Sequence, residues 1–311
     1  MFIEQAYKGK NDWWRILITT LLTSGIFIIS IILFFVLPDD VVKKSTDFAK
    51  SMSSTASLIL NLMPFAFLLG LLFLLVCNLH ERSLVSLTTS RKKVDFKRIF
   101  FSIGLIVLLT LVSFGISYGM DNSEIKWNFQ PTKFTVLLIL SLILFPFQIG
   151  LEEYLFRGYF MQQIGIAVRN RWTPLIITSV LFGLLHSANP EVEEMGYGVM
   201  TFYIGTGFLL GIMTLMDEGM ELALGFHFGN NLMSAILITT DYSALQTDAL
   251  FKYTGKENSA DTLNEMIISM LIAYPIILFI LAKKYKWNNW KERLTGRVNK
   301  PASNITIENH E

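Results

Sequence analysis

The sequence predicts an all-α membrane protein, a bundle of about eight transmembrane helices. Hydrophobic residues make up 52% of the 311 positions and charged residues only 16%, whereas a soluble domain carries about 25% charged residues. The apolar residues also lie in long uninterrupted runs. A helix satisfies its own backbone hydrogen bonds in lipid, whereas a transmembrane strand would show alternating polarity. Composition and continuity together favour helices that cross a bilayer.

The predicted spans follow from the length of each apolar run, because crossing the hydrocarbon core takes about 20 helical residues. They are Trp14–Leu37, Ala56–Asn78, Ile99–Gly119, Phe134–Leu151, Trp172–Ser187, Gly198–Met216, Ala223–Thr240 and Leu263–Ala282. The first run is longer than the core of a signal peptide and no small-residue cleavage site follows it. We therefore predict that it is retained as a helix.

Lysine and arginine are concentrated on one side of this topology. With the N-terminus inside, the inner segments hold 19 of the 26 Lys and Arg residues and the outer segments hold 7. Cytoplasmic loops carry the excess of positive charge, so both termini are predicted to be cytoplasmic. The short loops and compact length favour a prokaryotic cell membrane. The same topology places Glu152 near the cytoplasmic end of the fourth span.

The chain divides into three predicted regions. Residues 1–132 form an N-terminal three-span region, residues 133–240 a core that carries the polar motifs, and residues 241–311 an outer loop, the last span and a basic cytoplasmic tail. Disorder is expected beyond Arg297. No basic run is interleaved with aromatic residues, so no nucleic-acid partner is predicted. Cys77 is the single cysteine, which excludes an intramolecular disulfide.

Ionisable side chains inside apolar spans are costly and mark functional sites by default. In this sequence they occur at three places. Glu152, Glu153 and Arg157 lie at the end of the fourth span. His186 lies in the fifth span, four residues after Phe182, and His227 lies in the seventh, four residues before Asn231. His80 sits at a helix end without polar company that suggests chemistry. The three places lie on separate helices that a bundle can bring together.

The glutamate pair has two predicted roles. Glu153 and Arg157 are four residues apart, the favoured spacing and order for an ion pair on one helix face. Glu152 is turned by about 100° from its neighbour and is free to face the bundle interior. Two carboxylates and one arginine leave one acid unmatched, which makes Glu152 a candidate to exchange protons.

The two histidines complete a plausible water-activating site. Phe182 lies one turn before His186 and can limit its rotamers, and His227 shares a helix face with Asn231. Glu152 and His186 would hold and deprotonate a water. His227 and Asn231 would then stabilise the oxyanion that forms on a carbonyl group.

Each motif also has a purely structural interpretation. Histidine and asparagine often join membrane helices by hydrogen bonds, and the Glu153–Arg157 pair is an ordinary stabilising contact. Gly207 and Gly211 form a GxxxG pair, which predicts close approach of a neighbouring helix. The joint occurrence of the polar groups favours a site, because packing alone would not compensate so large a cost.

The three motifs resemble those of the CPBP intramembrane endopeptidases, also called Abi, which include CAAX prenyl proteases and bacteriocin-processing enzymes. The resemblance covers roughly Phe134–Thr240, and it implies an α-helical membrane protease. The catalytic residues that it implies are Glu152, His186, His227 and Asn231. The supporting residues are Glu153, Arg157 and Phe182.

The resemblance leaves some matters open. The family has been described both as metal-dependent and as glutamate proteases; Glu152, His186 and His227 suit zinc as ligand types but form no HExxH helix, so we favour a site without metal. The expected partners are the lipid bilayer and a peptide or membrane-protein substrate. The main rival is a non-cleaving immunity factor or scaffold of the same fold. A transporter would instead spread polar residues over several helices.

Overall fold

The computed structural model of the chain describes residues 1–38, 40–41, 44, 52–241, 243, 245–255 and 259–300. The α-helices are α1 (Trp13–Val36), α2 (Ser54–Leu74), α3 (Leu84–Thr88), α4 (Phe96–Met120), α5 (Pro131–Glu153), α6 (Met161–Val168), α7 (Trp172–Leu185), α8 (Pro190–Met195), α9 (Met200–Asp217), α10 (Glu221–Ile236), α11 (Ser259–Tyr285) and α12 (Trp290–Thr295). Shorter segments are the 3-10 helices Ile3–Lys8 and Tyr197–Val199 and the π-helices Leu75–Leu79 and Tyr154–Phe160.

The polytopic helical bundle is confirmed. Within the described residues, six segments are long and apolar enough to cross a membrane: Trp13–Val36, Ser54–Leu79, Phe96–Met120, Pro131–Val168, Tyr197–Asp217 and Thr262–Tyr285. The predicted count of eight is not confirmed. The fifth and seventh predicted spans form α7 and α10, which have 14 and 16 residues and are shorter than the roughly 20 that a crossing takes.

The short helix α10 lies at the centre of the bundle, where α4, α5 and α9 pack around it. Helix α9 also packs along α7, and α2 packs along α5. By contrast, α1, α4 and α11 expose many large apolar side chains, as expected of surfaces that face lipid. Because its neighbours shield α10 from lipid, that helix can carry polar side chains.

The predicted close approach at the GxxxG pair is confirmed between α9 and α7. A Cβ atom at Gly207 would lie 2.7 Å from the carbonyl oxygen of Ser179 and 2.8 Å from its Cα. A Cβ atom at Gly211 would meet the side chain of Leu175. The absence of both side chains lets α7 and α9 pack with their backbones almost in contact.

A small sheet marks one end of the bundle, which we call the sheet end. Its strands are β1 (Ile125–Trp127), β2 (Ile238–Thr239) and β3 (Phe251–Tyr253), in the order β1-β3-β2. Strand β1 is antiparallel to β3 and β2 is parallel to it. The predicted outer loop therefore supplies β3; its residues 242, 244 and 256–258, and the tail at 301–311 for which disorder was expected, lie outside the described residues.

The opposite end, which we call the arginine end, is held by ion pairs. Arg91 donates to Asp217 at 2.8 Å and to Glu221 at 3.0 Å, and Arg171 pairs with Glu218 at 3.1 Å. The arginine end comprises the segments predicted to be cytoplasmic, and the sheet end comprises those predicted to lie outside. The predicted orientation thus assigns each end to one side of the membrane.

Cysteine labelling tests this orientation. In a Cys77→Ala background, a membrane-impermeant maleimide applied to intact cells is expected to label Asn122→Cys at the sheet end and not Asn288→Cys at the arginine end. Both asparagines are exposed, so reactivity depends on the side of the membrane alone. Permeabilised cells should label at both positions. Labelling of Asn288→Cys in intact cells would reverse the orientation.

His80 has polar partners on other segments that the sequence did not predict. Its Nδ1 lies 2.7 Å from the carbonyl oxygen of Lys10, and its Nε2 lies 3.0 Å from the hydroxyls of both Thr19 and Tyr159. Burial lowers the pKa of the imidazole below its ordinary value. A neutral His80 donates through Nδ1 and accepts through Nε2, so it joins the N-terminal segment, α1 and the Tyr154–Phe160 turn.

Candidate active site

The glutamate pair lies within a long helical segment. Helix α5 ends at Glu153 but continues through the π-helix Tyr154–Phe160 into α6, so that the apolar segment runs for 38 residues from Pro131 to Val168. The helix therefore continues beyond Leu151, where the fourth predicted span ends. The charged residues that suggested an end are buried against partners on other helices. Wide π turns inside α-helices frequently occur at functional sites.

Arg157 joins three helices from a fully buried position. Its guanidinium donates to Glu153 Oε1 at 2.9 Å and to the carbonyl oxygen of Gly207 on α9 at 3.2 Å. The guanidinium carbon also lies 4.3 Å from the ring centroid of Phe182 on α7. Both Arg157 and Glu153 are 0% exposed. The predicted ion pair is confirmed, and it fixes α5 relative to α7 and α9.

His227 lies between the two carboxylates. Its Nδ1 is 2.8 Å from Glu153 Oε1, and its Nε2 is 3.6 Å from Glu152 Oε2. Since a carboxylate oxygen accepts the hydrogen bond, Nδ1 carries a proton and Nε2 points toward Glu152. Glu153 thus accepts hydrogen bonds from both Arg157 and His227 and sets the orientation of the imidazole.

His186 occupies the C-terminal cap of α7. Its Nδ1 lies 2.8 Å from the carbonyl oxygen of Phe182, which can only accept, so Nδ1 is the protonated nitrogen. The two rings are 4.9 Å apart, as predicted for residues one turn apart. On its other face, His186 stacks against Tyr203 with centroids 4.3 Å apart and planes inclined by 18°. Asn189 donates to the Tyr203 hydroxyl at 3.2 Å.

Glu152, His186 and Asn231 line one cavity of about 1020 Å³. Glu152 is 3% exposed, accepts from Gln148 Nε2 at 3.2 Å through Oε1, and has no hydrogen-bond partner among the described residues at Oε2. Asn231 accepts from Asn230 at 3.4 Å. Glu152 therefore offers a buried acceptor oxygen at the wall of this cavity.

The structure brings His227 within 3.6 Å of Glu152 and places His186 and Asn231 on the wall of the same cavity. Sequence reasoning missed Gln148, although its spacing of four residues from Glu152 signals a shared helix face. It also missed Tyr203 and the carbonyl group of Gly207. Neither carries a local signal, because a tyrosine in an apolar span and a backbone oxygen gain significance only from what packs against them.

Comparison with known proteins agrees with this geometry. Residues 131–233 match the family model described as type II CAAX prenyl endopeptidase Rce1-like. The motif-bearing segment is thus similar to this family. The chain is also 28% identical over 245 residues to the uncharacterized protein YyaK of Bacillus subtilis (strain 168), which spans 75% of this chain and 80% of that protein. No solved structure matches the chain. The predicted resemblance is confirmed for residues 131–233.

The side chains of the motif-bearing segment do not complete a zinc site. A catalytic zinc takes three protein ligands, and among the described residues no three His, Cys, Asp or Glu side chains form a group that could hold a metal ion. Glu152 Oε2 and His227 Nε2 converge, at 3.6 Å, and His227 Nδ1 is engaged by Glu153.

Proposed function

We propose that the chain is an intramembrane endopeptidase that hydrolyses a peptide bond with a water activated by Glu152. One observation carries the proposal. Glu152 lines a cavity, and its buried Oε2, which has no hydrogen-bond partner among the described residues, lies 3.6 Å from Nε2 of His227. Burying such a group without a partner is costly. A water bound beside Glu152 donates the missing hydrogen bond.

The state of His186 fits a role in holding the water. Because its Nδ1 donates to the Phe182 carbonyl oxygen, the other nitrogen of the neutral ring carries a lone pair. That nitrogen accepts a hydrogen bond from the water, while Glu152 takes the proton. Stacking on Tyr203 holds the ring plane in place.

The charge of the cluster suits His227 to stabilising the oxyanion. Glu152, Glu153 and Arg157 alone would carry a net negative charge in a buried place, which is unfavourable. The imidazole of His227 is placed to offset this charge, with Nδ1 donating to Glu153 and Nε2 directed at Glu152 beside the cavity. Nε2 and the amide of Asn231 then stabilise the oxyanion.

The reaction conserves charge within the site. As the water oxygen bonds to the carbonyl carbon, its proton moves to Glu152 and the negative charge moves to the carbonyl oxygen beside His227. The proton held on Glu152 then passes to the departing nitrogen, and the carbon–nitrogen bond breaks. The products are a carboxyl group and an amine, and Glu152 is again ionised.

The test is release of peptide fragments by the full chain. Reconstituted in vesicles with a peptide library, the wild type is expected to produce new termini in mass spectrometry, with and without a chelator. The double variant Glu152→Gln/His186→Asn should produce none. If the wild type produces no fragments, a non-cleaving immunity factor or scaffold becomes the better interpretation. Loss of cleavage with chelator would assign a metal to the reaction.

Tyr203 is expected to act by positioning His186. Tyr203→Leu removes the stacked ring and should lower the cleavage rate about tenfold, since an aromatic pair contributes about 0.5–1.5 kcal/mol beyond buried area. Tyr203→Phe retains the ring and should cleave within a factor of about two of the wild type. Rates are compared on one peptide at saturating concentration. Equal loss in both variants would assign the effect to the hydroxyl group instead.

A further inference from the structure

The cavity beside Glu152 extends toward one end of the bundle only. Its wall includes Ser54 at the start of α2, and Asp241 and Gln246 from the loop between β2 and β3, all at the sheet end. None of the described residues that make the ion pairs of the arginine end lines it. Glu152, almost fully buried, belongs to its inner part. A substrate therefore reaches Glu152 from the sheet end.

Helix α8 makes the wall of this cavity acidic. Glu191, Glu193 and Glu194 all line it, whereas no lysine or arginine is found among its described lining residues. Glu193 and Glu194 are exposed and Glu191 is partly buried. Asp241 lines the cavity too, but Lys252 balances its charge at 2.7 Å. The cavity thus carries negative charge both along α8 and at Glu152.

The same cavity also contains the buried carboxylate of Glu152. This carboxylate, more than nine-tenths buried, borders the cavity, and one of its oxygens lacks a hydrogen-bond partner among the described residues. The wall between is partly apolar, with Phe65, Phe145 and Phe202. A concave site with low-dielectric walls concentrates the field of one sign of charge and raises the local concentration of the opposite sign.

We infer that the cavity takes in a positively charged stretch of peptide from the sheet end, with lysine or arginine side chains beside Glu191, Glu193 and Glu194. This inference names the substrate class of the proposed peptidase and rests on that function only for cleavage, not for binding. A purely structural role also exists, because acids in the first turn stabilise a helix. If that role were the only one, replacing these acids would lower the stability of the protein and leave its peptide preference unchanged.

Peptide binding separates these possibilities. The full chain carrying Glu152→Gln, in lipid nanodiscs, is titrated with two fluorescent peptides of equal length that differ only by lysine or glutamine at the same positions. We expect about tenfold tighter binding of the lysine peptide, from several exposed charge pairs of modest strength each. High salt should reduce this preference, since exposed charges are screened.

The matched variants remove equal charge from two places. Glu191→Gln/Glu193→Gln/Glu194→Gln should abolish the preference for lysine. Asp121→Asn/Glu124→Gln/Glu265→Gln, a change at exposed carboxylates that do not line the cavity, should retain it. Equal loss in both triple variants would overturn the inference, because general surface charge would then explain the binding.

The two proposals fail in different ways. If the wild type does not cut the lysine peptide but the cavity variant alone loses the binding preference, the peptidase proposal fails and the inference stands. If the wild type cuts the lysine and glutamine peptides equally and binds them equally, the peptidase proposal stands and the inference is overturned.

Discussion

Glu152→Gln is expected to lower the cleavage rate by about 10²- to 10⁴-fold, the range for loss of a general acid–base group. Its melting temperature should remain close to that of the wild type. The carboxamide keeps the shape of the side chain, and Gln148 still has an oxygen to which it can donate. The change also removes a buried charge that no arginine contacts directly. Activity and stability should therefore separate in this variant.

Glu153→Gln, the same change one residue later, is expected to reduce both. It removes the carboxylate that accepts from Arg157 at 2.9 Å and from His227 at 2.8 Å. An arginine that is 0% exposed is then left without its counter-ion, and breaking a buried pair in this way costs about 3–5 kcal/mol. The imidazole of His227 also loses the group that orients it.

The two variants are compared in the same detergent by thermal unfolding and on the same peptide by cleavage rate. The contrast between adjacent positions is the informative result. If Glu153→Gln unfolds at the wild-type temperature, Arg157 is not held by this pair. If Glu152→Gln retains full activity, the proposed base is a different group.

Most of the helices could be predicted from the sequence, because a segment that crosses lipid must satisfy its own backbone hydrogen bonds. The first predicted span, Trp14–Leu37, differs from α1 by one residue at each end, and Ile99–Gly119 lies within α4. Long apolar runs have a single stable form in a bilayer. The prediction failed where other helices replace lipid as the surroundings. The central helix α10 is too short to count as a span by length alone.

The same distinction separates the parts of the site that were predicted from those that were not. Spacing along one helix predicted the Glu153–Arg157 pair and the packing of Phe182 on His186, because both lie within one turn. Contacts between helices depend on rotation and depth, which spacing does not specify. The approach of His227 to Glu153 and the stacking of Tyr203 on His186 are of this second kind.

Gly207→Ala is expected to destabilise the bundle by about 1–3 kcal/mol or more, the usual cost of forcing an extra methyl group into a packed interior. The new Cβ would lie 2.7 Å from the carbonyl oxygen of Ser179 and 2.8 Å from its Cα, and backbone atoms cannot rotate away. Helix α7 must therefore move from α9. The contact of His186 with Tyr203 spans that interface, and Arg157 donates to the carbonyl oxygen of Gly207 itself, so activity should fall as well.

Two matched variants grade this prediction by thermal unfolding and cleavage rate. Gly211→Ala meets only the ends of the Leu175 and Met161 side chains and an outer atom of Ser179, which can adjust, so its loss should be smaller. Gly115→Ala, at an exposed position of α4 with nothing within 4 Å of the new Cβ, should be neutral or stabilising by up to about 1 kcal/mol, because alanine favours a helix over glycine. The order of stability should follow which atoms each methyl group meets. If Gly207→Ala behaves like Gly115→Ala, the α7–α9 backbone contact is looser than described, and Arg157 would have to hold the site without it.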